Sequence, residues 1–186
     1  MRANLQRIAG TVDRLGRLTS RLKTFAYKSE EGLAPVSLLR SISDALAVVG
    51  AEVKDQCIDI EVDVEPVDLS VMAEEAAIGS VIINLVRNAF DAMQDASTRK
   101  MLIRARSEHG RVLMHVTDTG PGIRADILPR LFEPFVTSKP AGAGLGLGLV
   151  ISAQVVRASG GKLSAVNRPE GGACFTVELP TAAAQE

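Results

Sequence analysis

The sequence has no tryptophan, and aromatic residues make up only 3% of its 186 residues. A surface that stacks nucleic-acid bases on aromatic rings is therefore not expected. The net charge of −1 gives no overall positive field that would attract a polyanion. No apolar run is long enough to span a bilayer, and the N-terminus lacks the apolar core of a signal peptide. Nucleic-acid binding and a membrane span are both unexpected within this chain.

Cysteine is also scarce, since Cys57 and Cys174 are the only two and their spacing matches no metal-binding or redox motif. Each lies in an apolar alternating run, so we expect two small buried thiols. Hydrophobic residues make up 46% of the sequence and charged residues 23%, which fits one domain with a core plus an additional segment.

Residues 2–28 have the periodicity of one long amphipathic helix. Apolar side chains recur every three or four residues, at Leu5, Ile8, Val12, Leu15, Leu18, Leu22 and Phe25. The other faces are mainly basic, which fits either a solvated bundle surface or a docking site for an acidic partner. Because one helix cannot bury its own stripe, we expect it to pair with another helix or a second copy. Gly32 and Pro35 follow, and we place a domain boundary after residue 30.

The remaining chain alternates between helical and strand-like patterns. We predict helices over 37–54, 74–93 and 146–159, and strands over 58–64, 101–107, 112–117, 161–167 and 174–179. Two strand pairs are joined by short turns, around His109 and around residues 169–172. This order predicts an α+β sandwich, with an antiparallel or mixed sheet and helices on one face.

Two asparagines on the second of these helices are difficult to explain by packing. Asn84 and Asn88 are four residues apart, so their amides project from one face of an otherwise apolar helix. Asparagine is a poor helix former because its side chain competes for backbone hydrogen bonds. The pair indicates oxygen ligands for a hard cation such as Mg²⁺. Hydrogen bonding to neighbouring backbone is the alternative.

A carboxylate followed by close glycines comes directly after a strand, at Asp118, Gly120 and Gly122. Glycines there allow a flat ligand to approach the backbone, and a buried aspartate can accept a hydrogen bond from an amine such as that of adenine. A tight turn could use the same residues.

Four alternating glycines, at positions 142, 144, 146 and 148, precede the last helix. Such a segment at a helix N-terminus presents backbone N–H groups to phosphate oxygens, whereas a merely flexible turn is the alternative. About twenty residues, 124–143, separate it from the previous motif, and loops of that length are often functional lids. The loop contains Phe132, Phe135 and Lys139, and we expect it to close over a nucleotide with Lys139 near the phosphates.

In this order the four segments resemble the N, G1, F and G2 boxes of bacterial sensor histidine kinases, which have the Bergerat nucleotide fold. Residues 15–26 resemble the last helix of a dimerisation and phosphotransfer domain. With residues 132–140, they are especially similar to C4-dicarboxylate transport sensor kinases. The resemblance implies a Bergerat-type α+β sandwich with a mixed sheet over 31–186, preceded by one long helix over 1–30.

The resemblance also implies ATP and Mg²⁺ as cofactors, with Asn88 as metal ligand and Asn84 assisting. Asp118 would bind the adenine amine in a pocket shaped by Gly120, Gly122 and Ile123. Phe132 and Phe135 would anchor the lid. Backbone N–H groups of one segment would contact phosphate, namely those of Gly144, Leu145, Gly146 and Leu147. Catalysis would then be mainly positioning and charge neutralisation.

Three positions depart from the family pattern. Gly79 and Ser80 stand where an acidic residue and a glutamine are common, and Gly79 should weaken its helix by about 1 kcal/mol. Asp91 is placed among the ATP-binding residues, but it stands where a lysine is common, so one phosphate contact is absent or replaced.

The implied enzyme is a protein-histidine kinase, but neither His109 nor His115 fits the family's acceptor motif. The γ-phosphate would pass to a histidine outside this chain and then to an aspartate of a response-regulator receiver domain. Autophosphorylation in cis is not expected. The other implied partners are the parent's own phosphotransfer domain and a second copy bound through residues 2–28, in the cytoplasmic part of an inner-membrane sensor.

Two alternatives remain open. A hydrolysing ATPase of this fold resembles a pattern with glutamate at the position of Asn84, and an amide cannot accept a proton from water. A module that binds nucleotide without turnover is the other alternative.

Overall fold

The structure, a computed structural model, describes residues 32–50, 53, 57–139 and 145–182. The helix predicted over 2–28 lies outside these ranges, as do Gly142 and Gly144. The domain boundary after residue 30 therefore remains a prediction. None of the helices in the described ranges is both long enough and apolar enough to cross a membrane.

Three α-helices are present in the described ranges, at the predicted places: α1 Leu38–Val48, α2 Glu75–Ala92 and α3 Gly148–Ala158. Ser37 caps α1, its hydroxyl accepting a hydrogen bond from the Arg40 backbone N–H at 3.4 Å. α1 buries Leu38, Ile42 and Ala45, which share one helical face. It ends before residue 54, the predicted limit.

The strands within the described ranges are β1 Ala34–Ser37, β2 Asp59–Glu65, β3 Ser70–Ala73, β4 Lys100–Glu108, β5 Arg111–Asp118, β6 Lys162–Asn167 and β7 Ala173–Pro180. Five of them form a sheet in the order β2-β4-β5-β7-β6. β2 runs parallel to β4, and the other neighbours are antiparallel. The sheet is therefore mixed, as predicted.

The small antiparallel sheet of β1 and β3 was not predicted. Pro35 lies opposite Met72 within it, although the sequence indicated a break at this proline. A proline is tolerated in a short edge strand, where its missing N–H can face away from the partner. The Ala182 N–H donates to the Ser70 carbonyl at 2.9 Å, which joins this small sheet to the segment just after β7.

Strand alternation divides the large sheet into two faces. Val112, Met114, Val116 and Asp118 of β5 are buried, and the buried residues of β4 and β7 pack with α1 and α2 into one core. His115 lies on the other face of β5, where its Nδ1 is 3.0 Å from Thr176 Oγ1. Because side chains alternate between the two faces of a strand, the Asp118 carboxylate lies on the sheet face that packs against the helices.

β2 is an edge strand, and its predicted buried face is only partly covered, since Val62 is 37% exposed. Asp63 on its outer face pairs with Arg106 at 2.7 Å and with Arg104 at 2.9 Å. Hydrogen bonds lower the pKa of Asp63, the one from Arg106 more than the one from Arg104.

The prediction of two buried thiols is wrong. Cys57 is exposed in a turn with φ of +51°, and Cys174 is half-buried on the outer face of β7. Cys57 precedes an edge strand and lies outside the core, and Cys174 faces outward because of strand alternation.

Candidate functional site

Asn84 connects α2 to the beginning of α3. Its Nδ2 donates to Ser152 Oγ at 3.0 Å. Its Oδ1 lies beside Gly148, where an added Cβ would be 2.5 Å away. The amide therefore occupies the space that a side chain at position 148 would need, and it lies against the first residue of α3.

One helical turn further along, Asn88 meets the loop that precedes α3. Lys139 Nζ forms an ion pair with Asp91 and lies 3.5 Å from Asn88 Oδ1. Three residues predicted for the phosphate end of the site are thus in contact. The Asn88 oxygen therefore lies beside the cationic side chain of Lys139. No group of three or more His, Cys, Asp or Glu side chains in the described ranges could hold a metal alone.

Asp118 is only 2% exposed. Its Oδ1 accepts hydrogen bonds from the backbone N–H of Gly120 at 2.8 Å and of Ala173 at 3.4 Å. Burial raises the pKa of this carboxyl, while the two backbone donors oppose that rise. No described residue donates to Oδ2, which leaves one oxygen able to accept a hydrogen bond from a ligand amine.

The loop after Asp118 packs tightly against two neighbours. An added Cβ on Gly120 would lie 2.9 Å from the Ala92 carbonyl oxygen at the end of α2. Gly122 has φ of +81°, and an added Cβ there would lie 2.9 Å from Asn167 Oδ1. Ile123 donates its N–H to the same Asn167 oxygen at 2.6 Å. Glycine is therefore needed at these two positions for close packing within the protein, and the same lack of a side chain would let a ligand approach the backbone.

Three residues that contact the predicted site were not predicted from the sequence: Asn167 on β6, Arg168 in the turn after it, and Ser152 on α3. Residues 169–172 were predicted as a turn without a role. Nothing in the sequence alone distinguishes Asn167, because its importance comes from a loop 44 residues away.

Gly144 lies outside the described residues, so its predicted contact with phosphate stays a prediction. Leu145, Gly146 and Leu147 lead directly into α3, whose first turn has no acidic residue and no side-chain cap. Gly146 has φ of +64°, and an added Cβ would lie 2.5 Å from the Val136 carbonyl oxygen. The N-terminus of α3 thus offers uncapped N–H groups to an anion.

The predicted lid contains a short 3-10 helix, Leu128–Arg130. Phe132 is partly buried and packs against the core. Phe135 is 73% exposed, with φ of +67°, and its role in anchoring the lid over a nucleotide stays a prediction. The close approach of Gly146 to the backbone of residues 135 and 136 holds this segment by its main chain, and the ring is left in solvent.

Comparisons with known proteins agree on one family. A family profile described as "Histidine kinase-, DNA gyrase B-, and HSP90-like ATPase" matches residues 73–183. The two-component sensor PprA of Pseudomonas aeruginosa is 39% identical over 98% of this chain and 20% of its own length. The C4-dicarboxylate transport sensor protein DctB of Rhizobium meliloti is 33% identical over 96% of this chain and 28% of its own. The chain thus spans less than a third of either relative.

Solved structures agree with the fold. The catalytic domain of histidine kinase ThkA, free of nucleotide, is 29% identical with a TM-score of 0.72 over 81% of this chain and 96% of its own. Full-length ShkA in complex with AMPPNP is 27% identical with a TM-score of 0.83 over 100% of this chain and 40% of its own. ThkA in complex with the response regulator TrrA is 27% identical with a TM-score of 0.74, over 94% and 50% of the two chains.

Proposed function

The chain belongs to the family of histidine kinase-, DNA gyrase B- and HSP90-like ATPases, and from that premise we propose that it binds ATP and serves as the catalytic domain of a two-component sensor kinase. The sensor-kinase relatives support this choice within the family. C4-dicarboxylate sensors are among them, but PprA has the higher identity, so identity does not favour the C4-dicarboxylate group.

One observation carries the proposal: one face of α2 connects the Asp118 loop at one end of the candidate site with Lys139 and the start of α3 at the other. Asn84, Asn88 and Ala92 are successive residues along that face. Asn84 contacts the start of α3, Asn88 contacts Lys139, and Ala92 contacts the Asp118 loop at Gly120. The face is about 12 Å long. A nucleotide lying along it would place its base near Asp118 and its phosphates near α3.

Each end of this face has the chemistry that the corresponding part of ATP requires. At one end, the Oδ2 oxygen of Asp118 can accept a hydrogen bond from the adenine amine. At the other end, the uncapped N-terminus of α3 and the ammonium group of Lys139 suit phosphate oxygens. Asn88 would hold Mg²⁺, which supplies charge neutralisation to the phosphates.

Phosphoryl transfer fits the site better than hydrolysis. Asn84 stands where a hydrolysing relative would need a general base, and its amide is already hydrogen-bonded to Ser152. Transfer needs an acceptor from elsewhere, because His115 lies on the sheet face opposite Asp118, and His109 lies in the β4–β5 turn with φ of +50°. We propose a histidine on a phosphotransfer domain as acceptor and a response-regulator receiver domain as the next partner, as the ThkA–TrrA complex suggests.

Two points outside the described residues complete the proposal. Residues 1–30 would form the last helix of the phosphotransfer domain, preceding a catalytic domain over 31–186. Their apolar stripe would pair with a second copy of the chain. Analytical ultracentrifugation tests the pairing, and a strict monomer at high concentration would exclude it.

The deciding experiment is calorimetric titration of the chain with Mg²⁺–AMPPNP, with Val166→Ala as a surface control. Binding at one site by both proteins is expected. A second assay follows phosphate from ATP when a phosphotransfer domain with its histidine is supplied. Transfer to the histidine without comparable release of free phosphate supports a kinase. Rapid release of free phosphate without transfer supports a hydrolase, and absence of AMPPNP binding rejects the proposal.

A further inference from the structure

The turn between β6 and β7 packs against the start of the loop that follows Asp118. An added Cβ on Gly172 would lie 2.0 Å from the Asp118 carbonyl oxygen, so two backbones are in direct contact there. Arg168 Nη1 donates to the same carbonyl oxygen at 3.3 Å. The Ala173 N–H, just after the turn, points to Asp118 Oδ1. The turn therefore contacts both the main chain and the side chain of the predicted base-binding residue.

Asn167, at the end of β6, makes the most specific of these contacts. Its Oδ1 accepts the Ile123 N–H at 2.6 Å, and its Nδ2 donates to the Ile123 carbonyl at 2.7 Å. Both polar groups of one loop residue are thus bound by a single amide side chain. Residues 119–123 belong to no helix or strand, so these two bonds replace the pairing that a sheet would have provided.

Gly122 is adapted to the same contact. Its φ of +81° is readily accessible only to glycine, and any Cβ would approach Asn167 Oδ1 to 2.9 Å. The second glycine of the motif therefore has a role within the protein, because it makes room for the Asn167 amide. The Asn167 amide holds the Ile123 end of this loop, while the Gly120 end is held by the Asp118 carboxylate.

We propose that Asn167 is a positioning residue of the adenine pocket, holding the loop from Asp118 to Ile123 in the conformation that accepts the base. The inference rests on the proposed function. Asn167 acts through Ile123 and Gly122, and it needs no contact with the nucleotide. A merely structural asparagine would change stability alone, whereas a positioning residue changes the choice of base.

The test measures the Kd of Mg²⁺–AMPPNP and Mg²⁺–GMPPNP for three proteins: the wild-type chain, Asn167→Ala and Val166→Ala. Val166 is the exposed neighbour of Asn167 on β6 and serves as the control. Because two hydrogen bonds are lost, Asn167→Ala should raise the Kd for AMPPNP roughly tenfold or more. Its preference for adenine over guanine should fall, because the loop from Gly120 to Ile123 no longer keeps its shape beside the Asp118 carboxylate. Val166→Ala should match the wild type in both respects.

A second variant covers the case in which Asn167→Ala does not fold. Asn167→Asp keeps an acceptor for the Ile123 N–H but repels the Ile123 carbonyl, so its AMPPNP affinity and its preference for adenine should both fall below those of the wild type. Unchanged affinity and base preference in a folded variant would overturn the inference while leaving the proposed function intact. Failure of the wild-type chain to bind AMPPNP would instead reject the proposed function itself.

Discussion

Lys139 and Asp91 form an ion pair at the phosphate end of the candidate site, and the same Nζ lies 3.5 Å from Asn88 Oδ1. Asp91 occupies a position where lysine is common in histidine kinases, so the chain has an acid where a cation was expected. The cation comes instead from the loop before α3. Asp91 thus holds Lys139 beside Asn88.

We predict that Asp91→Asn binds Mg²⁺–AMPPNP more tightly than the wild type. Asparagine has nearly the same side-chain shape as aspartate but carries no negative charge. Lys139 would lose its ion-pair partner and could pair with the phosphates instead. Both partners are partly exposed, so the gain should be at most about 1 kcal/mol, or roughly fivefold in Kd. Titrations at low and high salt check it, since the gain should shrink as salt screens the charges. A weaker complex for Asp91→Asn would show that Asp91 itself assists binding.

Asp118→Asn should abolish most nucleotide affinity without unfolding the chain. Its Oδ1 can still accept the Gly120 N–H, but an NH₂ group replaces Oδ2 and faces the adenine amine, donor against donor. Loss of a hydrogen bond to a charged acceptor costs about 1.5–3 kcal/mol, or roughly 10- to 150-fold in Kd. Calorimetry measures the affinity and circular dichroism checks the fold. Wild-type affinity in Asp118→Asn would remove Asp118 from the site.

The difference in unfolding free energy between Asp118→Asn and the wild type should also depend on pH. Burial raises the pKa of Asp118 above its ordinary value of 3.8, so the folded chain binds this proton more tightly than the unfolded chain. The stabilisation from that proton is complete below the unfolded pKa and is lost as pH rises through the folded pKa. The stability of Asp118→Asn relative to wild type should therefore be greatest at neutral pH and should shrink as pH falls.

Urea denaturation of both proteins between pH 7 and pH 3 measures this difference directly. The pKa of Asp63 is lowered, so its effect on stability with pH is opposite to that of Asp118. This effect is the same in the wild type and in Asp118→Asn, and it cancels when the two unfolding free energies are subtracted. A difference that is constant with pH would mean that Asp118 titrates alike in the folded and unfolded chains.

Two glycine substitutions should have opposite effects. Gly79 lies within α2 and an added Cβ meets no atom within 4 Å, so Gly79→Ala should raise the free energy of unfolding by about 1 kcal/mol. At Gly148 the Cβ would meet Asn84 Oδ1 at 2.5 Å, so Gly148→Ala should displace Asn84 and destabilise the chain by about 1–3 kcal/mol. Urea denaturation gives both values. Equal stabilisation by the two alanines would contradict the contact between Asn84 and Gly148.

Much of the fold could be predicted because its signals are local. The alternation in β4, β5 and β7, the helical period of α2 and the turn at His109 and Gly110 each reflect neighbours in the chain. The pair of β1 and β3 was missed because four-residue strands carry too little periodicity. Their pairing joins residues more than thirty positions apart, such as Ala34 and Ala73.

The candidate site was predicted unevenly for the same reason. The sequence determined which residue types stand together: paired asparagines on one helical face, an aspartate ending a strand, and glycines leading into a helix. Only the tertiary structure decided which distant groups meet them. Asn167 forms a hydrogen bond with Ile123, Lys139 forms an ion pair with Asp91, and the Phe135 side chain is exposed. Periodicity fixes the face to which a side chain belongs, whereas contacts between loops depend on how the whole chain packs.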